Sequence, residues 1–279
     1  MKYFFKKIIN SAIGIIVKIL KSFNYGRYIL ETLSSEIFSI KENIETDGIK
    51  LTFFVPNRLN KFRVDSFFDK EPETLDWIRS FKNNKIFYDI GANIGLYSCY
   101  AAKTRNCKVF SFEPSVLNLD ILAKNVSINN LNSLITLIPM PLSDKTQIAE
   151  FNMSSIKKGG ALSTFGENYT HDGSTMDIKF SYNTLGTSLD YLNKIFELPK
   201  PNYMKIDVDG LEHLIIDGSN EILNTVDSIL IEVNDEFKIQ KTKIESKLNL
   251  KGFKLKYKTH SELIENSPVK NIFNQIWEK

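Results

Sequence analysis

Two glycines, an asparagine and an aspartate are concentrated in the segment FYDIGANIGLYS, which begins at Phe87. An apolar run precedes the glycines and a helical pattern follows them, so this segment predicts a junction between a strand and a helix. Glycines at such a turn let the backbone approach a ligand closely, and the free N–H groups that begin the helix face that ligand. The segment therefore predicts a site for a nucleotide-like ligand.

The spacing of the polar residues favours one kind of nucleotide. An NAD site has the pattern G-x-G-x-x-G, whereas this chain has G-x-N-x-G from Gly91 to Gly95. Asp89 would repel a pyrophosphate but suits a positively charged amino group. Glu113 ends the next predicted strand, FSFEP, where a carboxylate can accept hydrogen bonds from both ribose hydroxyls. A strand can also end in Glu without binding anything, but the pairing with DIGANIG predicts S-adenosylmethionine and disfavours an NAD-dependent oxidoreductase.

A second pair of acidic residues, Asp207 and Asp209, follows a later apolar run in the segment KIDVDG. In a parallel sheet both would lie at a carboxyl end, beside the reacting centre. A positioned carboxylate can take the proton of a hydroxyl. Asp207 is therefore the first candidate for a base or an orienting group and Asp209 the second, while loop capping or a metal site are the alternatives. His213 lies one helical turn further on and could face away.

Strand and helix patterns alternate from Lys85 onward, which predicts βαβ units and a mostly parallel sheet with helices on both faces. The predicted parallel strands lie in KIFYDIG, KVFSFEP, LITLIPM, NYMKIDVDG and DSILIEV. Ser115 could cap the helix after the second strand. GFKLKYK and NIFNQIWEK predict a closing strand pair.

The division of the chain follows from these patterns. We expect a helical extension in residues 1–48, a strand pair and a helix in 49–80, and a catalytic domain in 81–279. The strand pair is predicted to turn at Pro56 and Asn57. Residues 154–186 interrupt the alternation with many Gly, Ser, Thr and Asn residues and only faint strand patterning, which predicts a lid-like insertion, with a solvated insertion that contains a weak hairpin as the alternative. Its aromatic residues could stack on a sugar or simply pack: Phe165, Tyr169, Phe180 and Tyr182.

The first 24 residues combine apolar residues at helical spacing with lysines. The uncharged run between Lys7 and Lys18 is shorter than the roughly 20 residues that span a bilayer. Two interpretations stay open, an amphipathic helix on the surface of an anionic membrane and a helix packed on the domain.

Composition disfavours several classes of function. The formal charge of +3 on 279 residues is too small to indicate nucleic-acid binding. Cys99 and Cys107 form no CxxC, and together with the three histidines they show no zinc spacing, so we predict no metal site. Two reduced thiols are typical of a cytoplasmic protein, so we predict a cytoplasmic location. A peripheral location at the inner face of a membrane is the alternative.

Several segments in this order resemble the FkbM-type S-adenosylmethionine-dependent methyltransferases: FYDIGANIGLYS, FEPSVLNLDILAKNVSINN, PLSDKTQIAEF and MKIDVDGLEHLIIDG. The resemblance extends from about Lys50 to Asn234. It implies a Rossmann-like class I methyltransferase fold with a seven-stranded sheet, and S-adenosylmethionine as the cofactor. The donor-binding residues that it implies are Asp89, Gly91, Asn93 and Gly95 for the methionine portion, Glu113 for the ribose, and Ser143 and Asp144 for the adenine edge.

The chain departs from this family at two positions. Asp209 stands where the family usually has Glu, and Leu211 stands where His or an aromatic residue is frequent. Asn118, Asn125 and Asn129 match the family's helix and could brace the fold or touch the ligand.

The resemblance implies oxygen as the methyl acceptor. The fourth strand carries no N-P-P-[YF] element, and the chain has no Pro-Cys dipeptide. We therefore predict an O-methyltransferase that acts on a hydroxyl of a saccharide, glycolipid or related small metabolite. The alternatives are an RNA methyltransferase and a non-catalytic membrane-associated module that binds the donor or its product.

Overall fold

The computed structural model describes residues 2–260, 265 and 270–279. The helices of these residues are α1 (Lys2–Leu20), α2 (Asn24–Ser39), α3 (Arg58–Asp65), α4 (Pro72–Arg79), α5 (Leu96–Arg105), α6 (Val116–Ile128), α7 (Leu189–Phe196), α8 (Glu212–Asp217) and α9 (Lys238–Leu250). The strands are β1 (Lys41–Thr46), β2 (Ile49–Phe54), β3 (Ile86–Ile90), β4 (Lys108–Phe112), β5 (Ile135–Ile138), β6 (Gln147–Met153), β7 (Ser163–Phe165), β8 (Phe180–Gly186), β9 (Tyr203–Ile206), β10 (Ser228–Asn234), β11 (Lys254–Thr259) and β12 (Ile272–Glu278).

The central sheet has the order β11-β12-β10-β9-β3-β4-β5. Neighbouring strands from β10 to β5 are parallel, and β12 pairs antiparallel with both β10 and β11. The order reverses at β3, where the chain leaves toward β4 on one side and later returns to β9 on the other. This arrangement confirms the predicted α/β class I methyltransferase fold and its closing strand pair.

Alternate residues of the strands enter two separate cores. Phe87 of β3 packs with residues of α4, α5 and α6, whereas its neighbour Tyr88 packs with residues of α7, α8 and α9. Because both faces of the parallel strands are covered, their sequences are nearly continuous apolar runs. A polar side chain in such a run is therefore buried by necessity.

The insertion after β5 forms its own antiparallel sheet in the order β7-β6-β8. Phe151 of β6 and Phe165 of β7 pack with Leu211 in a small third core. The sequence pattern predicted a lid-like insertion with only faint strand patterning. The insertion has a defined three-stranded frame, and this frame stands beside the carboxyl ends of the central strands.

The N-terminal hairpin does not turn where the sequence predicted. β1 pairs with β2 through a turn at Asp47 and Gly48, which both have positive φ and so match the twist of a hairpin. Asn57 instead caps α3, because its side-chain oxygen accepts the N–H groups of Leu59 and Asn60. The predicted turn at Pro56 and Asn57 is therefore a helix start, and β1 lies inside the range predicted as helical.

Two asparagines of α6 attach this hairpin to the domain. Asn125 accepts the N–H of Phe54 at 2.8 Å, and Asn129 both accepts from and donates to the backbone of Thr52 at 2.8 Å. These side chains satisfy backbone groups that a neighbouring strand would otherwise pair. They brace β2 rather than contact a ligand, and they fix the start of the segment that leads to α3 and α4.

Candidate active site

The turns after β3 and β9 meet at the carboxyl edge of the sheet. The N–H groups of Gly91 and Ala92 both donate to the carbonyl oxygen of Phe112 at 3.0 Å. Gly91 has a φ of +86°, and a Cβ added there would overlap the carbonyl oxygen of Asp207. Glycine is thus required at this position both by its backbone conformation and by close packing.

A first cavity of about 600 Å³ opens between these turns and the insertion. Its polar lining includes five residues that the sequence singled out: Gly91, Asn93, Glu113, Asp207 and Asp209. The remaining walls are mostly apolar and come from Phe112, the segment 140–142, Phe151 and Phe165. The mixture of apolar walls with few polar groups is typical of small-ligand sites.

Glu113 is buried at one end of this cavity. Its two carboxyl oxygens accept the N–H groups of Asn93 at 2.7 Å and of Ser115 at 2.8 Å. Burial raises the pKa of Glu113 to about 8, against the opposing effect of these N–H donors. A carboxylate offers about four lone-pair positions. The side chain of Asn118 takes part of this capacity, and the rest can accept hydroxyls of a ligand.

A second cavity of about 460 Å³ adjoins the first and shares Gly91, Asn93 and Asp207 with it. Its character is different because most of its polar lining is charged. The charged lining residues are Arg63, Lys70, Glu71, Lys205 and Asp207. The second cavity is therefore suited to a ligand portion that carries charges of both signs.

Lys205 is the central cation of the second cavity and only 1% exposed. Its ammonium donates to Asp207 at 2.6 Å and lies 5.2 Å from the centre of the Tyr97 ring. Burial lowers the pKa of Lys205, but Asp207 and Glu71 outweigh burial and raise the pKa above its ordinary value. The charge of this lysine is thus maintained by its buried partners.

Glu71 is buried beside Lys70, with which it forms an ion pair. Burial alone would raise the pKa of Glu71, but Lys70 and Lys205 outweigh it and hold the pKa at about 2. The second cavity therefore contains ionised acids and bases away from bulk water, which is tolerated only because they are paired.

A segment of the insertion, residues 157–163 (KKGGALS), closes over the first cavity and is called the covering segment here. The side-chain amides of Asn93 and Asn118 both donate to the carbonyl of Gly160, at 2.8 and 3.0 Å. The N–H of Gly159 donates in return to Asn118 at 2.8 Å. Asn118 thus contacts the insertion and also lines the cavity.

Asp209 anchors the other end of the covering segment. One carboxyl oxygen accepts the N–H of Leu162 at 2.6 Å and of Ser163 at 3.4 Å. Burial, followed by the charge of Asp207, raises the pKa of Asp209. Asp209 has a φ of 60°, an uncommon conformation for a residue other than glycine. Its side chain is engaged by the backbone, whereas Asp207 lines both cavities and accepts from the side chain of Lys205 through one oxygen.

The other predicted donor residues do not line either cavity. Asp89 lies beneath the turn, 1% exposed, where it accepts a hydrogen bond from Ser98. Burial raises the pKa of Asp89 against the opposing charge of Lys205. Gly95 begins α5 and faces Leu122. Both residues support the turn from behind.

Ser143 and Asp144 follow the part of the chain that lines the first cavity. The N–H of Ser143 donates to Thr187 at 2.9 Å, and Asp144 is exposed. His213 packs against Phe237 away from both cavities. Of the four insertion aromatics, Phe165 lines the first cavity, and Tyr182 donates to the carbonyl of Pro114.

Sequence reasoning missed Lys205, Glu71, Lys70 and Arg63. Lys205 carries a usable signal, because a lysine in the middle of an otherwise apolar strand must find a buried partner. Glu71 precedes Pro72 and therefore has the pattern of an ordinary helix start. Nothing in its local pattern indicates that it faces Lys205 across the fold.

Comparison with known proteins now gives the family. The model of the FkbM methyltransferase domain matches residues 89–255. The chain belongs to the FkbM methyltransferase family. It is 30% identical over 216 residues to the hexuronic acid methyltransferase AglP of Haloferax volcanii, covering 76% of this chain and 83% of that protein. It is 23% identical over 207 residues to methyltransferase 1 of Beauveria bassiana, covering 66% of this chain and 76% of that protein.

A crystal structure of an FkbM methyltransferase from Methylobacillus flagellatus shares the fold. Its TM-score is 0.50 at 14% identity, and the match covers 79% of this chain and 52% of that one. The chain is therefore a methyltransferase that uses S-adenosylmethionine, as its sequence predicted. This excludes the non-catalytic module among the alternatives.

The two cavities fit this donor by their chemistry. Glu113 has free acceptor positions for a ribose, and the side-chain oxygen of Asn93 is buried without a partner. The second cavity supplies paired charges of the kind that an amino-acid portion requires. Across the part of the chain that the structure describes, no group of His, Cys, Asp or Glu is arranged to hold a metal ion.

Proposed function

We propose that this FkbM methyltransferase transfers a methyl group to a hydroxyl of a saccharide, glycolipid or related small metabolite. The observation that carries the proposal is the position of Asp207, which lines both cavities and has one carboxyl oxygen without a hydrogen-bond partner among the described residues. The similarity to a hexuronic acid methyltransferase supports a sugar as the acceptor class.

The donor is proposed to extend across the two cavities. Its adenosine would occupy the first cavity, with the ribose on Glu113 and the base beside the segment 140–142. Its amino-acid portion would approach Gly91, Asn93 and the paired charges of the second cavity. Asp89, Gly95, Ser143 and Asp144 would then act from behind the lining, by supporting the turns that carry it.

Methyl transfer from a sulfonium is an in-line displacement, so alignment and exclusion of water supply most of the catalysis. S-Adenosylmethionine supplies the activated methyl group when it is bound. Asp207 is proposed to orient the acceptor hydroxyl and accept its proton, while Lys205 keeps the carboxylate in place. Asp209 is proposed to position the covering segment, which excludes water from the first cavity.

The donor site is tested by calorimetric titration with S-adenosylhomocysteine and, separately, with NAD. We expect S-adenosylhomocysteine alone to bind, and Glu113→Ala to weaken it at least about tenfold because two ribose hydrogen bonds are lost. Glu150→Ala, at an exposed position, is the matched control. Binding of NAD, or of neither ligand by a folded sample, would contradict the proposed site.

The acceptor and the base are tested by methyl transfer to a panel of glycans at saturating donor. Asp207→Asn should lower kcat by about a hundredfold or more, because a neutral amide cannot take the proton. Asp209→Asn should act mainly on KM through the covering segment. Total RNA in the same assay tests the alternative acceptor, since methylation that falls steeply with added salt would favour RNA.

The proposed acceptor class includes glycolipids, which lie in membranes. The proposal therefore also contains a peripheral contact between residues 1–24 and the inner face of a membrane.

A further inference from the structure

α1 presents an apolar surface that the rest of the described chain leaves uncovered. Every side chain from Phe4 to Ile16 is exposed, with Phe4 at 67% and Phe5 at 61%. The half-buried Val17 falls on the same side as the lysines. At about 100° per residue, the other apolar side chains occupy one half of the helix circumference. They are Phe4, Phe5, Ile8, Ile9, Ala12, Ile13, Ile15, Ile16, Ile19 and Leu20.

The opposite half of α1 is basic. Lys6, Lys7 and Lys18 fall on it, and Lys21 follows directly after the helix. The sequence contains no acidic residue before Glu31. A surface that is half apolar and half cationic complements the boundary between the acyl chains and the headgroups of an anionic bilayer.

Length determines how α1 can meet such a bilayer. Among the described residues, no helix is both long enough and apolar enough to cross a membrane. The lysines lie near both ends of the helix. They would all remain in the headgroup layer only if the helix lies in the plane of the surface.

α2 connects this helix to the catalytic domain. Gly26 packs so closely against the end of α1 that an added Cβ would overlap the carbonyl oxygen of Leu20. At the other end of α2, the ring of Phe38 lies 4.7 Å from the ammonium of Lys158 in the covering segment. α1 therefore projects from the domain through a packed joint.

We propose that α1 docks in the plane of an anionic membrane surface, with its apolar half among the acyl chains and its lysines among the headgroups. This inference deepens the proposed function, and it rests on that function only for the peripheral contact of residues 1–24. It names the partner as a negatively charged bilayer.

The test is flotation of the full chain with vesicles of equimolar phosphatidylcholine and phosphatidylglycerol, and with vesicles of phosphatidylcholine alone. We expect at least about tenfold stronger binding to the anionic vesicles, weakened by added salt. Equal binding to both compositions, or binding to neither, would overturn the proposal.

Variants separate the two halves of the helix. Ile9→Glu combined with Ile16→Glu should reduce binding to anionic vesicles at least about tenfold. Leu250→Glu, which changes an 81% exposed leucine at the end of α9, should leave it unchanged. Replacement of Lys6, Lys7 and Lys18 by Gln should remove the preference for anionic lipid. A loss of binding that is the same in the Leu250→Glu control would overturn the assignment to α1.

A second copy of this chain is the alternative to a membrane as the partner of the apolar half of α1. Light scattering without vesicles should show a monomer, whereas a dimer that the Ile9→Glu and Ile16→Glu variant dissociates would overturn membrane docking. Titration with S-adenosylhomocysteine checks the fold of each variant. Flotation requires no methyl transfer, so failure of docking and failure of the proposed reaction give different results.

Discussion

Both cavities have apolar walls, but the first adds the carboxyl groups of Glu113 and Asp209, whereas the second adds basic side chains that pair with its acids. The first is built by the turns after β3, β4, β5 and β9 and by the insertion. The second depends on α3 and on Lys70 and Glu71 before α4, which lie outside the central alternation of strands and helices. Under the proposed function, this difference lets a single sheet edge serve two chemically different portions of one ligand.

The two cavities also differ in what keeps them intact. The first tolerates a carboxyl group, Glu113, whose pKa lies far above its ordinary value because burial opposes its charge. The second keeps Glu71 ionised because two lysines lie near it. Packing therefore dominates in the first cavity and charge pairing dominates in the second. Asp207 and Gly91 lie where the two cavities meet.

The largest effect is expected at Gly91, because it is common to both cavities. Gly91→Ala should lower the free energy of unfolding by more than about 4 kcal/mol and abolish detectable donor binding, since the new Cβ meets the backbone of Asp207. Gly252 has a nearly identical φ of +85° with open space around it, so Gly252→Ala should lose only about 1–2 kcal/mol. Chemical denaturation and calorimetry measure both. Equal losses would show that φ alone, and not the close approach, explains Gly91.

The next effect should separate the second cavity from the first. Lys205→Met should lower the free energy of unfolding by about 3–5 kcal/mol, because Asp207 and Glu71 lose a buried partner. Lys243→Met removes a half-exposed ion pair with Asp217 and should change stability by less than about 1 kcal/mol.

Binding of the two portions of the donor should then respond differently. In Lys205→Met, adenosine should bind nearly as it does to the unchanged chain, whereas S-adenosylhomocysteine should lose affinity. A parallel loss of both ligands in calorimetry would break the distinction between the cavities.

The smallest effect concerns pH and the first cavity alone. The pKa of Glu113 is raised to about 8, so below that pH the carboxyl is mostly protonated. Ribose hydroxyls donate best to the ionised form, so affinity for S-adenosylhomocysteine should rise at least about tenfold between about pH 6 and 9 and then level off. The Glu113→Gln variant should bind S-adenosylhomocysteine more weakly and should lack this rise of affinity with pH. A pH profile shared by both proteins would assign the titration to another group.

Site residues that belong to a local sequence pattern could be predicted from the sequence. Gly91, Asn93 and Glu113 lie next to strand ends, and the parallel topology alone brings strand ends together. Lys205 and Glu71 were missed because their significance arises from pairing across the fold. The hairpin was misplaced because Asn57 has the composition of a turn residue and also of a helix cap, and only tertiary packing decides between them.

The position of β3 has a consequence for the order of folding. Phe87 of β3 pairs with Tyr203 of β9, and α5, β4, α6, β5 and the whole insertion lie between them in the chain. Pairing of β3 with β4 closes a short loop, whereas pairing with β9 closes a long one at a greater entropic penalty. We expect the half of the site with Glu113 to assemble early and the half with Asp207 to join it late.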